Sequence, residues 1–394
     1  MLVYLDNSAT TRQYDEVTDV MSRAMRENFG NPSSLHSLGL KAEKEVKNAR
    51  KILAQSLGAG EEEVFFTSCG TESDNTVLMG AAQAKKRRGK KIIVSAVEHP
   101  AILEPAKKLE SMGFEVAYIG VDKQCRLNME SLKNAVTDDT ILISVMGVNN
   151  ETGTIMPIEE IARFKEEYNR THGTDIWLHT DAVQAFGKIL VNLKKEYKGV
   201  DFLSASAHKI HGPKGMGLLY MKKGLNLVPF LLGGGQERHM RSGTENTPGI
   251  VGFGKAAELA MRDFDERIQR MSTARQRLLE QICAEIKDIR INSPEGEEAC
   301  PSVLNLSFLG TRGEVLLHTL EQDGIFVSTG SACFSNHSSA KGSHVLNAMG
   351  LTPKEIEGAI RFSFSEFNTE EEMDFTADKV KAAVARFRRL GSFR

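Results

Sequence analysis

The chain has 394 residues, 41% hydrophobic and 26% charged, and its 50 basic against 52 acidic side chains leave a net charge of −2. That balance offers no basic footprint for nucleic acid, so no direct nucleic-acid binding is expected. No run approaches the roughly 18 apolar residues of a membrane span, no charged N-terminal stretch precedes an apolar one, and the five scattered cysteines form no Cys-x-x-Cys pair. The expectation is a cytoplasmic protein with no membrane contact and reduced thiols.

Near the start, a short apolar run is stopped by Asp6-Asn7-Ser8, a strand and then a turn. The spacing predicts helices over 15–28 and 41–57, the second with Ala42, Val46, Ala49 and Leu53 on one face and Gly58 and Gly60 as stop signals. From Val64 the pattern becomes strand, loop, helix, repeated. Strands are predicted at 64–67, 91–95, 115–119, 141–145, 176–179, 201–204 and 217–220, with helices at 71–83, 100–112 and 157–168 between them. Such alternation points to an α/β unit with a mostly parallel sheet. After Gly249 the texture changes: one long helical stretch over 250–285 is followed by strands at 302–308, 325–327 and 359–364. Thr369-Glu-Glu-Glu372 is a capping box leading a helix with Met373, Val380, Val384 and Phe387 on one face. This half reads as a smaller α+β unit.

In a sheet of this kind ligands sit outside the carboxyl ends of the strands. Past 64–67 comes Ser68-Cys69-Gly70-Thr71-Glu72-Ser73, either an ordinary helix cap or an anion-binding helix start, and it fits neither common nucleotide motif. Past 91–95 comes Glu98-His99-Pro100, where the histidine is structural or a platform for a planar ligand. Val148-Asn149-Asn150-Glu151 is a polar turn past the next strand. Asp181 ends another, and a carboxylate there needs a cation. Lys209, in Ser206-Ala-His-Lys209, has three readings: a surface lysine, part of a phosphate loop, or an amine that forms a Schiff base with a carbonyl cofactor. Asp181 and Lys209 lie 28 residues apart, a spacing suited to successive strand ends. A pyridinium nitrogen would serve Asp181 and an aldehyde Lys209, and both belong to pyridoxal 5'-phosphate. Its phosphate would go to Gly70 and Thr71, with Ser206 and His208 close by.

With these residues in view, the chain resembles the cysteine desulfurases of the NifS/IscS type, in the class V aminotransferase group. The matching segments run nearly end to end: Tyr4-Leu-Asp-Asn-Ser-Ala-Thr-Thr11, Gly30-Asn-Pro-Ser-Ser34, Thr67-Ser-Cys-Gly-Thr-Glu-Ser73, Glu98-His99, Val148-Asn-Asn-Glu-Thr-Gly153, Asp181-Ala-Val-Gln184, Ser206-Ala-His-Lys209, Gly212-Pro-Lys-Gly215, Gly233-Gly-Gly-Gln-Glu-Arg238, Arg241-Ser-Gly-Thr-Glu-Asn246, Ser328-Thr-Gly-Ser-Ala-Cys333 and Ile360-Arg-Phe-Ser363. The resemblance implies a fold-type I PLP-dependent transferase. Its large domain, 13–257, would carry a mostly parallel seven-stranded sheet, and a smaller α+β domain of 1–12 and 258–394 would carry a catalytic-cysteine loop.

The resemblance also implies roles. Lys209 would hold the cofactor covalently, Asp181 keep its ring nitrogen protonated, Gln184 bond its ring hydroxyl and His99 stack on the ring as a catalytic partner. Gly70, Thr71, Ser206 and His208 would hold the phosphate, with Thr244 added from the neighbouring subunit of an obligatory homodimer. Asn150 would contact cofactor or substrate, and Arg361 would bind the substrate carboxylate with Asn7 nearby. Cys333 would be the nucleophile that takes sulfur from L-cysteine, releases L-alanine and passes its persulfide to a protein acceptor, an iron–sulfur scaffold or a tRNA-thiolation enzyme. Two departures stand out: Cys69 replaces the glycine or alanine of many relatives, and the chain ends at Arg394, short of the extension by which housekeeping members dock the scaffold. A selenocysteine lyase or a cysteine lyase-like member of the same fold is the rival enzyme. A non-catalytic relative is expected to have lost Lys209, Asp181 or Cys333, and all three are present.

Overall fold

The structure, a computed structural model, describes residues 1–329 and 342–391. A first strand, β1 (Val3–Tyr4), leads to helices α1 (Asp15–Glu27) and α2 (Ser37–Leu57). The alternating region follows: β2 (Val64–Thr67), α3 (Gly70–Lys85), β3 (Lys91–Ser95), α4 (Pro100–Ser111), β4 (Glu115–Ile119), α5 (Met129–Ala135), β5 (Thr140–Ser144), α6 (Ile158–His172), β6 (Trp177–Asp181), β7 (Phe202–Ser206) and β8 (Gly217–Met221). The remainder comprises α7 (Thr247–Arg262), α8 (Phe264–Glu285), β9 (Ile289–Ile291), β10 (Val303–Phe308), α9 (Gly313–Gln322), β11 (Ile325–Phe326), α10 (His344–Ala348), α11 (Pro353–Glu357), β12 (Ala359–Ser363) and α12 (Glu370–Arg389).

Seven strands form one sheet in the order β2-β8-β7-β6-β5-β3-β4. Only β8 runs against its neighbours, so the sheet is mostly parallel, as the alternation predicted. Its central strands are apolar on both faces because both faces are covered. Ile93, Ile143, Leu178 and Leu203 pack into a cluster with Leu53 of α2 and Phe253 of α7. Their chain neighbours Ile92, Leu142, Trp177 and Phe202 point the other way, into a cluster with Leu78 of α3 and Leu109 of α4. A third cluster joins Val3 and Leu5 to Leu278, Leu306, Phe362 and Val380. It packs on the antiparallel sheet β12-β10-β9, while β1 pairs in parallel with β11.

The free edge of β2 is covered by side chains. Glu237, Arg238 and His239 form a left-handed turn with φ of 47°, 55° and 66°. Glu237 accepts from Phe66 N at 2.9 Å, and Val64 O accepts from both Arg50 and Arg238 at 2.7 Å. Arg50 also grips Glu237 with two bonds, at 2.7 and 2.8 Å.

Two expectations are corrected. The helical stretch over 250–285 is two helices, because Asp263 leaves helical geometry at φ −120°, ψ 40° and breaks the run. The second helix begins at Ser37, four residues before the predicted start, because the His36 ring accepts from Gly39 N and acts as its cap.

Candidate active site

β2, β3, β5, β6 and β7 run the same way, so their carboxyl ends open along one edge of the sheet. β7 ends at Ser206 and passes straight into a tight turn over Ala207–Lys209. The Lys209 amine donates to the carbonyls of Ser8 at 2.6 Å and Ala9 at 2.7 Å, which fixes it against the N-terminal segment. β6 ends on Asp181, which is buried and accepts a single bond from Val183 N at 2.9 Å. Burial raises its carboxyl to about 6, against the pull of the Val183 N–H and the Lys209 charge. Among the described residues no cation forms an ion pair with Asp181.

His99 follows β3 and caps α4, its Nδ1 accepting from Ala101 N at 3.1 Å. That bond leaves the proton of the neutral ring on Nε2. Burial first, and then the Lys209 charge, push the ring down to about 4, so His99 is neutral near pH 7. His208 stands beside Lys209 with its Nδ1 at 3.1 Å from Thr10 Oγ1. Burial, helped by the charges of Lys209, Lys214 and Lys188, lowers it to about 3. Gln184 donates from Nε2 to Ser8 O at 2.9 Å, the carbonyl that also takes the Lys209 amine.

At the start of α3 no side chain caps the helix, so its first N–H groups face outward from Gly70 and Thr71. Gly70 is required here: a Cβ would lie 2.6 Å from Val183 Cγ2, and Ser206 Cβ is 3.8 Å away. The β2–α3 turn therefore faces the end of β7. Glu72 folds back to accept from Ser68 N at 2.9 Å and is itself held by Arg241 Nε at 2.8 Å. Thr244 is exposed and lines a cavity of about 220 Å³ with Thr67, Ser68 and Glu237, which shares no lining residue with Lys209, Asp181 or His99.

Arg361 on β12 is buried, bonded to Asp6 Oδ1 at 2.7 Å and to Asn150 O at 3.1 Å, while among the described residues its Nε has no partner. Asn150 thereby meets Arg361 through its backbone, and its neighbour Asn149 is the scaffold of the turn, accepting from Glu151 N at 2.9 Å and Thr152 N at 3.0 Å. Asn7 is buried nearby, with its amide donating to Ser363 O at 2.9 Å and Tyr4 O at 3.2 Å. Cys333 lies outside the described residues.

Sequence reasoning missed the groups behind Asp181. Asp74 is buried on α3, its carboxyl raised by burial and by the nearness of Asp181, with Oδ1 lacking a hydrogen bond. Glu98 is buried as well and raised by burial; one oxygen accepts from Met146 N at 2.8 Å and the other has no partner. His179 bridges Ser144 at 2.8 Å and Ser204 at 3.0 Å, and burial holds it neutral, at about 3. Asp74 was hidden inside a helix pattern that reads as polar surface. The site joins an anchored amine, a buried carboxyl in want of a cation, a neutral imidazole and an uncapped helix start, a set that suits a phosphorylated cationic ring.

Comparison with known proteins agrees with this geometry. The family described as aminotransferase class-V matches residues 3–375. A relative named cysteine desulfurase IscS, from Dictyoglomus turgidum, is 43% identical over 392 residues, covering 100% of this chain and 97% of its own. A solved structure titled NifS-like protein superposes with a TM-score of 0.90 at 40% identity, covering 98% of this chain and 100% of its own. Another, titled SspA in complex with cysteine, gives a TM-score of 0.80 at 34% identity over 93% of this chain and 100% of its own. The chain belongs to the class-V aminotransferase family, and within it to the cysteine desulfurases of the NifS/IscS type.

Proposed function

We propose that this chain binds pyridoxal 5'-phosphate at the carboxyl ends of β6 and β7 and uses it to take sulfur from L-cysteine. The observation that carries the reading is that the buried Asp181 carboxyl and the His99 ring both feel the charge of the Lys209 amine, which the N-terminal segment anchors at one edge of the sheet. The buried Asp181 carboxyl, which among the described residues has no cation paired with it, and the uncapped start of α3 fit the group's ring nitrogen and its phosphate. When bound, the cofactor supplies an electron sink for charge developing beside the substrate amine.

The chain's own residues do the rest. Lys209 holds the cofactor and then moves a proton at the substrate carbon next to the amine. Asp181 would hold the positively charged ring nitrogen of the cofactor, and neutral His99 would hold its ring. Gly70, Thr71, Ser206 and His208 hold the phosphate, completed by Thr244 across a homodimer. Arg361 binds the substrate carboxylate, with Asn150 and Asn7 nearby. The Cys333 thiolate forms an S–S bond with the substrate sulfur as the substrate C–S bond breaks. The electron pair stays with the carbon, which gains a proton and leaves as L-alanine, and the persulfide passes to a protein acceptor. A large unit of 13–257 and a smaller one of 1–12 with 258–394 form part of this proposal, supported by the separate cluster around Phe362. So does a cytoplasmic location, supported by the free thiols of Cys69, Cys125, Cys283 and Cys300.

The test is to load the chain with cofactor and measure alanine and sulfide from L-cysteine with a reductant. Equal amounts of both are expected. Cys333→Ser should keep the cofactor absorbance and lose sulfide formation; undiminished release by that variant overturns the role of Cys333.

A further inference from the structure

Lys188 lies four residues after Gln184 and is only 4% exposed. Its Nζ donates to Gln184 Oε1 at 2.5 Å, and among the described residues no carboxylate forms an ion pair with it. Burial lowers the ammonium to about 8; Cys300 and Glu366 act to raise it, Arg361 and Arg267 to lower it. A methionine of the same length would fill this space without burying a charge, so packing alone does not account for a lysine here.

The chemistry of the two groups supplies a reason. An ammonium has three donors and no acceptor, so it bonds only to the oxygen of the Gln184 carboxamide. The amide nitrogen is thereby turned to the opposite side, where it donates to Ser8 O at 2.9 Å, next to the Lys209 amine. A carboxamide has two N–H groups, and Ser8 uses one.

We propose that Lys188 is a positioning residue that locks Gln184 as a hydrogen-bond donor toward the ring oxygen of the bound cofactor. This rests on the site proposed above. Without the lysine, only the Ser8 carbonyl still favours this orientation, and the carboxamide turns over more readily to set its oxygen against an oxygen that carries negative charge. A locked donor stabilises that anion and weakens its hold on the proton it shares, so the change of visible absorbance with pH falls at a lower pH with Lys188 than without it.

The experiment uses the full chain, with pyridoxal 5'-phosphate as the probe. Lys188→Met, Gln184→Leu and the double variant are compared by cofactor affinity of the apoprotein, pH titration of the visible absorbance of the loaded protein, and thermal unfolding. Lys188→Met should unfold no earlier than the parent, because a buried charge has been removed. Its absorbance midpoint should rise by about one pH unit, and its cofactor affinity should fall about tenfold. The double variant should move no further than Gln184→Leu alone. If Lys188→Met folds with midpoint and affinity unchanged while Gln184→Leu alters both, the proposal is overturned and the site stands. If Gln184→Leu alters neither, the site reading itself fails. Lys188→Gln, which keeps a donor but adds an acceptor, carries the same test if the methionine variant does not fold. An intermediate shift is expected of it, and no shift overturns the proposal.

Discussion

The two ends of β6 and β7 treat buried charge in opposite ways. At the amino ends, Asp201 is buried but fully engaged: Lys165 Nζ bonds it at 2.8 Å, Leu178 N donates to it at 2.9 Å, and Lys222 lies at 3.7 Å. At the carboxyl ends, among the described residues, Asp181 has one backbone donor, Asp74 and Glu98 each keep an oxygen without a hydrogen bond, and Thr180 Oγ1 has none. The same strands thus carry a closed ion pair at one end and an unfinished one at the other. An unfinished pair is costly to keep in a folded protein. On the proposed reading, a ligand completes the electrostatics at this end.

The sharpest way to break this contrast is at Lys209. Lys209→Ala should abolish the visible band of the loaded protein and lower sulfide formation by roughly a thousandfold or more; a variant retaining the parental rate would refute the assignment. Asp181→Asn should lower turnover by about a hundredfold or more. Its effect on the apoprotein has the opposite sign. The Asp181 carboxyl is raised from an ordinary 3.8 to about 6 by burial, so its contribution to stability is present below 3.8 and is lost as pH rises through about 6. The apo form of Asp181→Asn should therefore be the more stable protein at pH 7, with a flatter dependence between pH 4 and 6, as read by urea unfolding. Equal slopes for variant and parent would show that the carboxyl is not held in this state.

A smaller effect is expected at the anion site. Gly70→Ala pushes a methyl group against Val183 and should weaken cofactor binding about tenfold, with little change in turnover at saturating cofactor; unaltered binding would place the phosphate elsewhere. The smallest effect on turnover belongs to the amino end. Asp201→Asn breaks the pair with Lys165 and should cost about 3–5 kcal/mol of stability, while the folded fraction works at the parental rate. A large loss of turnover per folded molecule would erase the distinction between the two ends.

The strands of the large sheet were legible because burial on both faces makes short apolar runs bounded by turns. Lys209, Asp181 and His99 were legible because each follows such a run. What escaped detection depends on contacts between distant parts of the chain. Asp6 holds Arg361 from 355 positions away, and Ser8 offers its carbonyl to Lys209 from 201 positions away. A carbonyl has no residue type, so no sequence pattern announces it. Asp263 ends α7 through its backbone dihedrals, and His36 caps α2 through a ring nitrogen. Histidine is not a usual cap residue, and Asp263, although of a common cap type, makes no side-chain cap bond to α8.

One consequence follows from the clamp on β2. This strand lies at the margin of the sheet and carries the turn with Gly70 at its end. A bare margin is an invitation for another chain to add a strand, and sheets left open this way seed aggregates. Glu237, Arg50 and Arg238 already occupy the outward N–H of Phe66 and the carbonyl of Val64. The polymerising face is thus capped from within the same molecule, and the strand that leads to the proposed anion site is sealed against strand exchange.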